Sequence, residues 1–293
     1  MSGRGERAGV CPKVVVYAGV FVPHWDSLEL FLRAADMDYQ SVSDADLESF
    51  EFLPSHRLFV FPTGHNFGPN PDNLLGGRKG VARLKQAIAD GMNYLGICAG
   101  ANAAAHRSWH PIDVSLGIAD VTHRWPGEHG AGVQLLTMKL CPQLARAAGI
   151  ASGKIAVWYH NGPIWARSRR PRYRVLAEFA PTRGERTQAR EWKLFRKHLS
   201  GAPAIIECQY GSGRVVLCTP HPEYGDQGLR DWQLRWRQWL EATGFALLEG
   251  DQLRRGMPGH RALMADLGGP WMEPIRVSRS WRLLRALFDD LLR

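Results

Sequence analysis

The chain has 293 residues, 45% of them hydrophobic and 22% charged, ordinary values that exclude disordered, collagen-like and coiled-coil classes. Its formal net charge of +9 sets seven lysines and thirty arginines against 28 acidic residues, which raises nucleic acid as a partner until the distribution of charge is inspected. Five cysteines at irregular spacing, with no CxxC pair, give neither a disulfide framework nor a cysteine zinc site.

Residues 1–10 are rich in Gly, Arg and Ser and read as a flexible leader. The apolar run Val14 to Val22 has nine residues, too few for a bilayer. It meets Pro23-His24-Trp25-Asp26 with no small-residue cleavage site, so a buried strand at Val14-Val15-Val16-Tyr17 is favoured over a signal peptide. A cytoplasmic protein with reduced thiols is expected. Ser27 to Ala35 has helical spacing, with Leu28, Phe31, Leu32 and Ala35 on one side. Leu58-Phe59-Val60-Phe61 reads as a second buried strand, ending at Pro62-Thr63-Gly64. A Gly-, Asn- and Pro-rich loop follows from His65 to Gly80, then a helix from Val81 to Ala89 with Gly91 near its C-cap. Tyr94 to Ile97 is a strand that runs into Cys98-Ala99-Gly100, and Ala101 to Ala105 opens a helix. This alternation predicts an α/β fold with a parallel sheet flanked by helices.

Further strands are expected at Gln134–Leu140, Lys154–Trp158, Arg174–Phe179, Ala204–Tyr210 and Arg214–Cys218, the last pair joined at Gly211-Ser212-Gly213. Gln227 to Leu240 reads as a helix with Trp232, Trp236 and Trp239 as a core stripe. Gly244-Phe245 closes the main domain, taken as residues 11–248. Residues 249–293 form a C-terminal extension, irregular over 250–276 and ending in an amphipathic helix from Trp281 to Leu292. That helix is expected to pack on its own domain, with a dimer contact or a partner dock as the alternative.

The strongest local signal is Gly96-Ile97-Cys98-Ala99-Gly100 between a strand and a helix. It has the spacing of a nucleophile elbow with Cys in place of Ser. The glycines remove Cβ atoms that would crowd a sharp turn. The thiol then stands at a helix N-terminus, where the dipole favours a thiolate. The N–H of Ala99 is aimed at a developing oxyanion. His221-Pro222-Glu223 supplies a base and a group to orient it. Residues two apart in an extended chain point the same way, and Pro222 stiffens the pair. Pro62-Thr63-Gly64 follows a strand at the sheet edge where α/β proteins bind ligands, and its N–H groups could complete the oxyanion hole.

Together these stretches resemble the class I glutamine amidotransferase-like superfamily. Within it the chain looks most like the family named for the N-terminal domain of biotin–protein ligases. The resemblance is carried by Val16-Tyr17-Ala18-Gly19-Val20, Phe61-Pro62-Thr63-Gly64, Tyr94 through Ala101, Tyr159-His160-Asn161-Gly162, and Tyr210 through Arg214 with His221-Pro222-Glu223. It implies a flavodoxin-like, mostly parallel sheet, a Cys98–His221–Glu223 triad and an oxyanion hole near Gly64 and Ala99. It also implies Thr63, Asn102, Tyr159, Asn161 and Tyr224 as substrate contacts. Two positions depart from the family. Thr63 stands where Gly is usual, and its Cβ would strain a positive φ. Asn102 stands where glutamine-using members carry Gln, which counts against glutamine as the substrate. No synthetase or biotin-ligase domain follows, so any ammonia released would serve another chain.

His106, His110, His123 and His129 lie near Asp113, Asp120 and Glu128 without a zinc spacing and read as solvated loop residues. The basic run Arg167 to Arg174 reads as a solvated loop, with no nucleic-acid motif beside it. The expected function is a cysteine-dependent amide hydrolase acting on a small amide through a Cys98 thioester. It needs no cofactor or metal and engages neither nucleic acid nor membrane. Two alternatives stay open: a glutaminase subunit feeding a separate synthetase, and a non-catalytic binding module on the same fold. A synthetase or other protein partner, and self-association, also stay open.

Overall fold

The computed structural model describes residues 12–19, 25–62, 75–107, 115–122, 133–160, 162–166, 171–180, 199–225 and 278–293. Outside them lie the leader, Thr63, Gly64 and most of the following loop, Asn161, the basic run 167–170, and His110, His123, His129, Asp113 and Glu128. The Trp232/Trp236/Trp239 helix, Gly244-Phe245 and the segment 250–276 also lie outside them.

The described elements run β1 (Val14–Tyr17), α1 (Trp25–Ala34), β2 (Tyr39–Val42), α2 (Asp44–Ser49), β3 (Leu58–Phe61), α3 (Gly77–Ala89) and β4 (Asn93–Ile97). They continue with α4 (Ala99–Ala104), β5 (Ala105–Arg107), β6 (Ala119–Thr122), β7 (Val133–Leu140), α5 (Pro142–Ala147), β8 (Lys154–His160) and β9 (Arg174–Phe179). β10 (Pro203–Tyr210), β11 (Gly213–Cys218), a 3-10 turn (Pro222–Tyr224) and α6 (Arg279–Leu291) complete them. Nine strands form one sheet in the order β2-β1-β3-β4-β11-β10-β9-β7-β8. The first five are parallel and the rest join antiparallel. The protein is thus α/β, with a large sheet and helices on both faces.

The parallel strands are apolar throughout because both their faces are covered. Val14 and Val16 enter one core with Leu28, Phe31 and Leu32 of α1. Val15 and Tyr17 enter the other with Leu84 and Ile88 of α3. Among the described residues, no helix is long and apolar enough to cross a membrane.

Helix α3 begins at Gly77, four residues before the predicted start, so the end of the expected loop is helical. The glycines that read as loop signals serve close packing: a Cβ on Gly80 would lie 1.9 Å from the Leu75 carbonyl oxygen and 3.1 Å from that of Leu47. Five further elements, β2, α2, β5, β6 and α5, were not expected from the pattern. β2 is a half-exposed edge strand. α2 is opened by a capping box in which the Ser43 N–H donates to Asp46 at 2.8 Å. α5 starts on Pro142 at its first turn.

Helix α6 buries Trp281, Leu284, Phe288 and Leu291. Phe31 of α1 meets Trp281 edge-on at 5.6 Å and Phe288 at 5.4 Å. At the far end of α6, Asn93 at the start of β4 donates to the Leu291 carbonyl. Arg214 near the start of β11 donates to the Asp290 carbonyl at 2.9 Å.

Candidate active site

Strands β4 and β11 are parallel neighbours, with Ile97 opposite Cys218. Their C-terminal ends therefore deliver Cys98 and the segment from Thr219 to Glu223 to one place. Cys98 is the N-cap of α4 and holds φ 49° and ψ −100°, a backbone state that costs a non-glycine residue about 1–3 kcal/mol. The surroundings enforce it. The Cys98 N–H donates to the Cys218 carbonyl at 2.8 Å, and the Asn102 N–H donates to the Cys98 carbonyl at 3.0 Å. The Tyr94 hydroxyl pins the Gly100 carbonyl at 2.7 Å. A Cβ on Gly96 would lie 2.5 Å from the Gly100 oxygen, and one on Gly100 2.0 Å from the Phe61 oxygen. Only glycine fits at either place, which is the physical reason for the elbow spacing.

Ala99 is the first residue of α4, so helix geometry gives its N–H no intrahelical acceptor. Asn102 lies one turn further along, partly exposed.

His221 is fully buried, and its Nδ1 lies 2.8 Å from Glu223 Oε1. The two do not meet across an extended chain as the spacing suggested. Pro222-Glu223-Tyr224 forms a single 3-10 turn, and Pro222, with φ fixed, opens it. The turn folds the carboxylate back onto the ring. Tyr224 lies face to face on His221, with ring centroids 4.5 Å apart and planes at 2°. The His221 N–H donates to the Trp158 carbonyl of β8 at 2.7 Å. The antiparallel half of the sheet thus curls its last strand back to the end of β11. Tyr159, next on β8, is buried and donates to the Gly162 carbonyl at 2.6 Å.

The electrostatics couple these groups. Burial opposes an imidazolium at His221, but the interactions with Cys98 and Glu223 outweigh it, and His221 is pushed up to about 10. Burial, then the charge of Cys98, hold the Tyr159 hydroxyl well above the usual phenol range. Burial, then Glu223 and Cys98, do the same for the Cys218 thiol. Five groups from three parts of the chain therefore share one enclosed site.

Of the residues singled out from sequence, Cys98, Ala99, Asn102, Tyr159, His221, Glu223 and Tyr224 are described and lie around this point. Thr63, Gly64 and Asn161 lie outside the described residues. His106 is exposed, and Asp120 makes an exposed ion pair with Arg172 at 3.7 Å. Among the described residues, no three His, Cys, Asp or Glu side chains gather into a metal site.

Two contributors carried no sequence signal. Trp158 acts through its backbone. The Trp281 indole N–H donates to the Glu223 carbonyl at 2.9 Å across 58 positions of chain.

No protein-family model matches the chain, and no curated protein does. Among solved structures, a glutamine amidotransferase from Thermotoga maritima is similar at 14% identity and a TM-score of 0.49, over 97% of this chain and all of that one. A candidate GMP synthase component from Thermoplasma acidophilum is similar at 14% identity and a TM-score of 0.43, over 73% of this chain and 86% of that one. A β-galactosidase from Bacillus circulans is similar at 10% identity and a TM-score of 0.42, over 71% of this chain and 28% of that one. Likenesses this remote transfer no residue role.

Proposed function

We propose that the chain is a cysteine-dependent amide hydrolase of the class I glutamine amidotransferase-like kind, with Cys98, His221 and Glu223 as its triad. One observation carries this reading. Cys98 is held on a strained elbow beside a buried His221 whose Nδ1 is occupied by Glu223 at 2.8 Å. The remaining ring nitrogen is then the one available to the thiol. A buried histidine drawn toward its charged form by both neighbours is what an activated thiolate–imidazolium pair requires.

In the proposed reaction the Cys98 thiolate adds to the amide carbonyl. The oxyanion that forms is met by the Ala99 N–H and, on the strength of the motif, by a second donor at Gly64. His221 gives its proton to the departing nitrogen as the C–N bond breaks, leaving a Cys98 thioester and a free amine. Neutral His221 then takes a proton from water, which attacks the thioester. Carboxylic acid and thiol are released. Glu223 fixes the ring tautomer and stabilises the imidazolium. Asn102 stands one turn from the nucleophile and is proposed to touch the substrate, with Tyr159 and Tyr224 as walls and Thr63 and Asn161 as motif-based contacts. Kinship with the biotin–protein ligase N-terminal family rests on the motifs alone.

The test is a panel of glutamine, asparagine and short peptide amides offered to wild type and Cys98→Ala. Product is followed as released amine, and the acyl-enzyme by intact mass after acid quench. The expected result is turnover of one amide class with a quenchable adduct on Cys98. Release of glutamate, rising with a synthetase present, would favour the glutaminase form. Turnover retained in Cys98→Ala would sink the reading.

A further inference from the structure

We infer that Trp281 of the C-terminal helix is a positioning residue for the candidate triad. Its indole N–H holds the turn that carries Glu223, and through that turn it sets the Glu223–His221 contact. The inference rests on the triad reading above.

The turn is weakly tied by its own backbone. Its bonds are Tyr224 N–H to the His221 carbonyl at 3.3 Å and Gly225 N–H to the Pro222 carbonyl at 3.2 Å, both long. Neither uses the carbonyl of Glu223, a residue that is 1% exposed. A buried carbonyl left bare is costly. Among the described residues the donor that meets it is Trp281, at 2.9 Å.

The indole is itself held firmly. Trp281 is buried, packs edge-on against Phe31 at 5.6 Å, and its backbone N–H is capped by Ser278 Oγ at 3.1 Å. Ten residues on, α6 is fixed to Asn93 and Arg214, at the starts of β4 and β11. A 13-residue helix spans about 20 Å, and a strand of five residues about 17 Å. The helix therefore lies along the two strands that carry Cys98 and His221 and braces them at both ends.

Among the described residues, the titratable groups around the candidate triad are Cys98 and Cys218 from the parallel strands, Tyr159 from β8, and Glu223 and Tyr224 from the turn, of which Cys98, Glu223 and the stacked Tyr224 meet the His221 ring. Trp281 adds no charge to this set. Removing its donor can move the titration of the pair only by moving Glu223.

The experiment measures the rate of Cys98 alkylation by iodoacetamide across the range in which the pair titrates, together with melting temperature. The proteins are wild type, Trp281→Phe, Asp290→Asn and His221→Ala. Trp281→Phe keeps a ring against Phe31 and loses the donor. It is expected to alkylate about fivefold or more slowly at neutral pH, with its acid limb displaced upward because the imidazolium is less well supported. Asp290→Asn removes the charge that pairs the Asp290 carboxylate with Arg214 at the far end of α6, and is expected to lower the melting temperature without moving the profile. A Trp281→Phe profile that overlays wild type, beside a crippled His221→Ala, overturns this inference alone. An equal shift in Asp290→Asn reduces Trp281 to a fold contact and also overturns it. His221→Ala alkylating at the wild-type rate overturns the triad reading and this inference together. If Trp281→Phe does not fold, the indole N–H resonance of wild type is followed by NMR. It is expected to shift when Cys98 is alkylated, and an invariant resonance contradicts the inference.

Discussion

In the parallel half of the sheet, β1, β3 and β4 are buried along their whole length, and β4 and β11 end on Cys98 and the His221 segment. In the antiparallel half, β9 mixes exposed and buried residues, and Leu135 of β7 is an exposed large hydrophobic. Strands covered on both faces have no freedom to shift register without burying the wrong groups, so reacting atoms placed at their ends are held firmly. Among the described residues, the titrating group that the half with one wet face brings to the site is the buried Tyr159. It supplies the Trp158 carbonyl that receives the His221 N–H and the aromatic wall beside it. The proposed chemistry thus falls to one half and the bracing to the other.

That division is most sharply tested by substitutions in the parallel half. Cys98→Ala and Cys98→Gly are both expected to reduce amide turnover to background. The glycine variant should be more stable than the alanine one by about 1 kcal/mol, because it relieves the positive φ at the elbow. Chemical denaturation of the pair measures this, and equal stabilities would mean the elbow is unstrained. His221→Gln should cost about 100- to 10,000-fold in turnover, read from initial rates, with folding retained.

The bracing half should respond in stability first. A Cβ at Gly162, just beyond β8, would lie 2.2 Å from the Thr219 carbonyl oxygen. Gly162→Ala is therefore expected to cost about 1–3 kcal/mol while leaving Cys98 reactive toward alkylation. A silent Cys98 in a folded Gly162→Ala protein would show that the antiparallel half takes part in the chemistry.

The pH dependence follows from His221. Its folded value lies above its ordinary one of 6.5, so the fold favours the protonated ring. The stability it contributes is complete below 6.5 and is lost as pH rises through about 10. The difference in melting temperature between wild type and His221→Gln should narrow over that window, and a difference that widens would reverse the assigned charge. The smallest effect is expected at Glu207, which from the middle of β10 bonds Arg174 of β9 and Arg214 of β11. Glu207→Gln should cost about 0–1 kcal/mol by denaturation and leave turnover unchanged.

The sequence was most readable where local sterics dictate a residue. Gly96 and Gly100 are forced by close backbone approach, so the elbow stands out in the bare string. The apolar runs of β1, β3 and β4 mark strands covered on both faces. His221 and Glu223 were legible as a pair, but not their geometry, because Pro222 opens a 3-10 turn where an extended chain was expected. β2 escaped because an edge strand with half-exposed residues has no clean period. The capping box of Ser43 and Asp46 was a readable signal for α2. Trp281 could not have been found: its spacing marks it only as a buried helix residue, and its partner lies 58 positions away.

The central claim is that Cys98 is an activated nucleophile and the other cysteines are not. The most direct measurement is site-resolved mass spectrometry of alkylation over time, comparing Cys98 with the half-buried Cys141 in wild type and in His221→Gln. Rapid labelling at Cys98 alone, lost when His221 is replaced, is expected. Labelling of Cys98 no faster than of Cys141, or a rate indifferent to His221, would contradict it.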